Sequence, residues 1–286
     1  MTRDVKAFAR DARKLPALPT LHYELSHVVQ DPESSMDEVV TLLERDQSLA
    51  ARLLRLSNSS FYGFPYQIAT LMEAVQLIGL AEVQDLVLAT TVIKAFDKVP
   101  AHLVDVTSFW KHSIACGLAS ASLARLRNDP VPERLFLGGL LHDIGRLQMF
   151  LEAPAESAEI LERCERDQAL ASPIEEEVLG FDHTMLGAEL VTVWRLPLPL
   201  REMVRGHHDP RLSTVTAQDT FLVHYADFII SALDYGKSGE LFLSPLIPPA
   251  ESERFLLEEG SIRALVADVD QRCEEIFPIL NSARGV

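Results

Sequence analysis

Apolar residues recur at three-to-four spacing along most of the chain, and no two-residue alternation is long enough for a sheet, which predicts an all-α protein. Asp46 stands as a cap before QSLAARLLRLS, where Leu49, Leu53 and Leu56 keep one helical face. Thr70 and Glu73 form a capping box ahead of LMEAVQLI, with Gly79 as the stop signal. Ser172, Pro173 and Glu175 combine an N-cap, a first-turn proline and a capping-box acid, and the run Glu175 to Glu177 reads as a solvated helix start. Further helices are expected near 20–30, 36–45, 82–96, 107–127, 133–150, 155–169, 183–195, 199–208, 219–235 and 261–276. Proline and glycine mark loops at 61–67, 98–102, 128–132 and 196–199. Pro100 is the best boundary between two helical halves, and SPLIPP breaks the pattern again at 244–249. Three pieces follow: 12–99, 100–235 and a carboxy-terminal helical extension, 236–286.

Composition narrows the functional classes. The 286 residues are 48% hydrophobic, and the mean hydropathy of +0.09 suits a well-filled core. A formal charge of −16 repels nucleic acid and anionic membrane surfaces, so neither is expected as a partner. No apolar run approaches the ~18 residues of a membrane span. FLVHYADFIISAL, the most apolar candidate, carries His224 and Asp227 and reads as a buried helix. The opening MTRDVKAFARDARKLP is charged and lacks the apolar stretch of a secretory signal. Cys116, Cys164 and Cys273 show no CxxC spacing, as befits reduced thiols, and a cytoplasmic location is expected. An anionic substrate would need a cation inside the site, and a metal is the obvious one.

Five of the nine histidines form one series with two aspartates: His112, His142-Asp143, His183, His207-His208 and Asp227. Imidazole and carboxylate suit Fe, Mn, Zn or Ni, and ligands far apart in sequence are normal where helices of a bundle converge. Neighbours on a helix point about 100° apart, so the His142-Asp143 doublet can flank one metal or bridge two. Each member also has a plainer reading. His112 suits a polar surface, His183 follows the N-cap Asp182, and His207-His208 suit a helix C-terminus. Asp227 in an apolar helix is harder to dismiss, because a buried carboxylate needs a partner. His224 shares the face of Asp227 and is read as packing beside the ligands. Trp110 and Trp194 are expected to pack near the site, and Cys116 to be a small core residue.

GGLLHDIGRLQMF, residues 138–150, resembles the HDIG signature of the HD phosphohydrolase superfamily. FWKHSIACGLAS, FDHTMLGAELVTVWRLP, VRGHHD and HYADFII resemble the elements that carry its other metal residues. LPALPTL, DQSLAARLLRLSNSSFYG and the helix ending QLIGL resemble the amino-terminal region of HDOD domains, the HD-related output domains of bacterial signalling. The match covers roughly residues 12–235. It implies an HD-type bundle preceded by an HDOD-specific helical subdomain. It also implies one or two divalent ions, the first on His112, His142, Asp143 and Asp227. The second would share Asp143 and take His183 with the double histidine, His207 and His208 remaining undivided between the ions. Arg146 takes the place of a basic residue that contacts phosphate, a role its planar fork suits; its alternative is a surface arginine. The chain departs from the related HD-GYP phosphodiesterases in reading DPRLSTVT after His208, and in carrying Ser108 where a carboxylate would serve a third metal.

The resemblance therefore implies a signalling output protein that binds metal together with a partner protein or a nucleotide. A metal-dependent phosphohydrolase acting on a nucleotide or cyclic dinucleotide is the second reading, and a metal-free helical scaffold the third.

Overall fold

A computed structural model describes residues 3–11, 20–31, 33–129, 131–247 and 258–282. Among them fifteen α-helices and one 3-10 turn, Pro210–Leu212, carry all the regular structure, with no strand. In chain order the helices are α1 Val5–Asp11, α2 Thr20–Gln30, α3 Met36–Glu44, α4 Gln47–Ser57, α5 Leu71–Ile78, α6 Leu80–Ala95 and α7 Val106–Leu126. They continue with α8 Arg134–Leu141, α9 Ile144–Glu152, α10 Pro154–Asp167, α11 Ala171–Leu179, α12 His183–Val193, α13 Leu198–Gly206, α14 Ala217–Ala232 and α15 Glu259–Asn281. No single helix among the described residues is long and apolar enough to cross a membrane.

The chain divides into two units. One takes Met1–Leu15 with Lys98–Val269; the other takes Pro16–Asp97 with Asp270–Val286, so α15 contributes to both. Residues 248 and 249 of the second proline break lie outside the described residues.

The smaller unit packs α2 to α6 around Leu25, Leu43, Leu53, Leu56, Val75 and Val87, all under 3% exposed. Asp46 caps α4 by accepting from the Leu49 N–H at 3.0 Å, as the pattern requires. Thr70 accepts from the Glu73 N–H, and the Glu73 carboxylate accepts from the Ala69 N–H, one residue earlier than the capping box predicts. Gly79 has φ 94°, a value that favours glycine, and ends α5 where α6 begins. Asn58 closes α4 by pairing both ways with the Ile68 backbone, at 2.9 and 2.8 Å.

The larger unit holds the deep core, with Trp110, Phe109, Phe181, Leu186, Val204 and Phe221 buried. Two sequence expectations fail here. The helix expected over 133–150 is two, α8 and α9, separated at His142-Asp143. Close packing explains the break. A Cβ on Gly139 would meet Cys116 O of α7 at 2.6 Å, and one on Gly145 would meet His183 O of α12 at 2.0 Å. The two halves are thus pressed onto different partners, and the doublet between them turns. The capping box expected at Ser172 is also absent: α11 begins at Ala171 without a cap of that kind, and Ser172 sits in its first turn.

Candidate metal centre

Five elements of the larger unit deliver the seven histidines and aspartates. His112 comes from α7, His142 and Asp143 from the α8–α9 turn, His183 from the first position of α12, His207 and His208 from just beyond α13, and Asp227 from α14. The structure brings all seven together, in two groups. His112, Cys116, His142 and Asp227 offer ligand atoms that all lie within 4.8 Å of one another, and so do Asp143, His183, His207 and His208. Asp143 faces both groups. Its Oδ2 stands 3.3 Å from His142 Nε2, while its Oδ1 stands 3.3 Å from His183 Nε2 and 3.5 Å from His207 Nε2. Asp227 Oδ1 lies 3.2 Å from His112 Nε2 and 3.7 Å from His142 Nε2, and accepts from the Ser231 hydroxyl at 3.1 Å.

Each of three imidazoles is held from behind through Nδ1. His142 Nδ1–H donates to Gly139 O at 2.7 Å, His207 Nδ1–H to Val204 O at 2.8 Å, and His183 Nδ1–H to Glu175 Oε2 at 2.6 Å. With the proton on Nδ1, each Nε2 presents a lone pair to the interior. Those lone pairs face mainly other acceptors; the one donor among the described residues is the Arg146 Nη2–H, 3.5 Å from His183 Nε2. His142 Nε2 has no hydrogen-bond partner. His183 Nε2 faces His208 Nε2 at 3.0 Å and His207 Nε2 at 3.4 Å. Acceptors converging at such distances need a cation or protons between them, so these residues fit a metal.

Charge states agree with that fit. Burial and the neighbouring imidazoles hold His207 and His208 below the usual histidine value, so both stay neutral. Burial works against ionising Asp143 and Asp227, but the facing histidines, with Arg146 beside Asp143, overcome it and hold both carboxyls low. His142 differs: burial opposes its charge, yet Asp143 and Asp227 push it up to about 9, so a metal on its Nε2 would have to displace a proton.

Two residues behave otherwise than the sequence implied, and a third, Arg146, loses one of its two readings. Cys116 is buried but belongs to the site, its sulfur 3.5 Å from His112 Nε2 and 4.0 Å from Asp227 Oδ1. One helical turn separates Cys116 from His112, a spacing that could have flagged it. Glu175 is no solvated helix start: it is 2% exposed and accepts from both the N–H and the ring of His183. Arg146 is not a surface arginine. It is 2% exposed, and its guanidinium meets Asp143 at 3.2 Å, Glu175 at 3.6 Å and Glu240.

Glu240 is the site residue that sequence reasoning missed. It lies on a strap, residues 234–247, whose Lys237 N–H donates to Ser108 Oγ at 2.9 Å and whose Ile247 N–H donates to His224 Nε2 at 2.8 Å. His224 in turn donates to His207 O at 2.6 Å, which fits its reading as a packing residue. Besides pairing with Arg146, Glu240 accepts from the Ala171 N–H at 3.2 Å and so caps α11 from a distance. No local motif announces that contact.

The model of the HDOD domain family matches residues 15–210, more than half of the chain. The chain belongs to the HDOD family. A candidate phosphohydrolase of Shewanella amazonensis SB2B shares the HDOD fold at TM-score 0.75 and 26% identity, over 96% of this chain and 98% of that one. An HDOD domain protein of unknown function from Geobacter sulfurreducens aligns at TM-score 0.73 and 24% identity over 98% of each chain, which shows the fold alone. In sequence, an uncharacterized protein of Treponema pallidum is 26% identical over 200 residues; this chain spans 38% of that curated relative's length.

Proposed function

We propose that this HDOD protein is a regulatory output component of bacterial signalling that holds two divalent ions, with Asp143 as the shared ligand. The observation that carries the reading is the placement of the two Asp143 oxygens, one toward each histidine group. His112, His142 and Asp227 complete the first set, with the Cys116 sulfur in reach, and His183, His207 and His208 complete the second. Imidazole with carboxylate suits Fe, Mn, Zn or Ni. Bound there, such ions would supply Lewis-acid activation of water and of a phosphoryl oxygen.

The chain's own residues do the rest. Gly139, Val204 and Glu175 fix the ring orientations, while Arg146 supplies a buried positive charge beside Asp143. Glu240 occupies Arg146, so a phosphate reaches that guanidinium only by displacing the Glu240 carboxylate. This cover favours a regulated or ligand-sensing protein over a freely turning enzyme, with a partner protein or a nucleotide as the signal.

Phosphoester hydrolysis is the second reading, favoured by the unbroken ligand series and by the description of the Shewanella relative. Metal analysis of purified protein tests the site. Near-stoichiometric metal that disappears in His142→Ala supports it, and protein that takes up no metal even after reconstitution overturns it. Asp143→Asn should lose both ions together; loss of one alone would refute the shared ligand. Turnover of linear and cyclic nucleotides by the loaded protein then separates hydrolase from regulator.

A further inference from the structure

In the smaller unit α2, α4 and α6 line a pocket of about 210 Å³. Arg52 of α4 forms part of its wall and is 5% exposed. Its guanidinium makes one hydrogen bond, Nη1 to Ser48 Oγ at 2.6 Å, and its buried Nε has no partner. No carboxylate among the described residues stands within ion-pair distance of it. A buried cation without a counter-charge is costly, and buried guanidinium groups are normally paired. Acid is not scarce in this chain, which carries 42 Asp and Glu against 26 Lys and Arg.

The two acids that share the pocket are committed elsewhere. Glu24 accepts from Arg45 at 2.8 Å, and Asp46 accepts the Leu49 N–H that starts α4. Asp46 offsets the Arg52 charge only from a longer range, and burial still lowers the affinity of Arg52 for its proton. Facing Arg52 from α6 are the half-buried Thr91 and the exposed Lys94. A pocket of this size is below the ~300 Å³ at which drug-sized ligands begin, so its occupant is small. The planar fork of arginine, a lysine ammonium and a hydroxyl together suit a tetrahedral oxyanion.

We propose that Arg52, Lys94 and Thr91 form a binding site for a phosphate-class anion, separate from the candidate metal centre. The ligand is inorganic phosphate, pyrophosphate or the phosphate head of a small metabolite. Through it the HDOD-specific helices would register a soluble anion.

Calorimetric titration of the full chain with inorganic phosphate, and separately with pyrophosphate, tests this in the presence of a chelator, so that no metal-held phosphate contributes. One saturable site per chain is expected. Arg52→Gln should weaken it at least about tenfold, the loss of a charge-assisted pair. Lys94→Gln lies on the surface and leaves folding intact, and it should weaken binding by about two- to fivefold. Circular dichroism checks that Arg52→Gln still folds; if it does not, Lys94→Gln carries the test. Absence of saturable binding at millimolar anion, or binding unchanged in both variants, overturns the proposal. Either result leaves the metal content unaffected, so it is independent of the reading of the other site.

Discussion

Glu175 grips His183 twice, accepting its backbone N–H at 2.8 Å and its Nδ1–H at 2.6 Å through the same oxygen. That double contact fixes where α12 begins, how its first ring is turned and which nitrogen keeps a lone pair. Outer partners of this kind are worth roughly 10- to 100-fold in metal affinity. Glu175→Gln is therefore expected to weaken the second ion by about that factor while the first remains, with folding little changed. Metal content after dialysis against graded chelator measures it. Equal loss of both ions would assign Glu175 a structural role instead.

The Arg146–Glu240 pair gives a second expectation. Glu240→Gln removes the charge competing for the guanidinium, so the metal-loaded protein should bind inorganic phosphate more tightly, by about tenfold for one charge-assisted contact. The same change weakens the cap on the Ala171 N–H, at a cost of about 1 kcal/mol. Titration calorimetry with phosphate and a thermal melt separate the two effects. Unchanged phosphate affinity would mean that Arg146 has no part in holding phosphate.

Gly145 supplies a test of packing. A methyl group there meets His183 O at 2.0 Å and Gly187 N at 2.8 Å, both backbone atoms of α12 that cannot rotate away. Gly145→Ala should cost about 3 kcal/mol or more, or abolish folding, because overpacking against backbone has no cheap relief. Chemical denaturation of the variant checks the magnitude. The glycine of the HDIG run is in this light a spacer between α9 and α12.

Asp85 of α6 sets a pH dependence in the smaller unit. Burial, reinforced by the negative charge of Glu82, pushes its carboxyl up to about 7. The folded state therefore holds a proton that the unfolded chain, at an ordinary pKa of about 3.9, releases. The stability contributed by that proton is fully present below about pH 4 and is lost as pH rises through about 7. Asp85→Asn should raise the melting temperature at pH 8 relative to the parent, with little difference near pH 4. Parallel melts at the two pH values decide it; equal effects at both would show that Asp85 is not buried in this way.

Sequence pattern reached the local structure well and the long-range structure unevenly. Asp46, Thr70 and Gly79 were readable because a cap or a stop signal is settled within a few residues. The seven-residue series was readable because its chemistry is rare in a helix core and its members recur in order. The break at His142-Asp143 was hidden, since the opposing contacts of Gly139 and Gly145 come from helices elsewhere in the chain. The burial of Glu175 was hidden too, since a triple glutamate looks solvated until His183 is placed against it. Glu240 had no signal at all, because its partners Arg146 and Ala171 lie 94 and 69 positions before it, in neither a shared motif nor a shared helix.

The seven converging side chains begin at residue 112 and finish at residue 227. A growing polypeptide consequently has no complete coordination set until α14 has left the ribosome, since Asp227 is the last to be made. Any ion captured earlier would rest on a partial shell, and full occupancy would report that synthesis has passed Asp227 and that these five elements have come together.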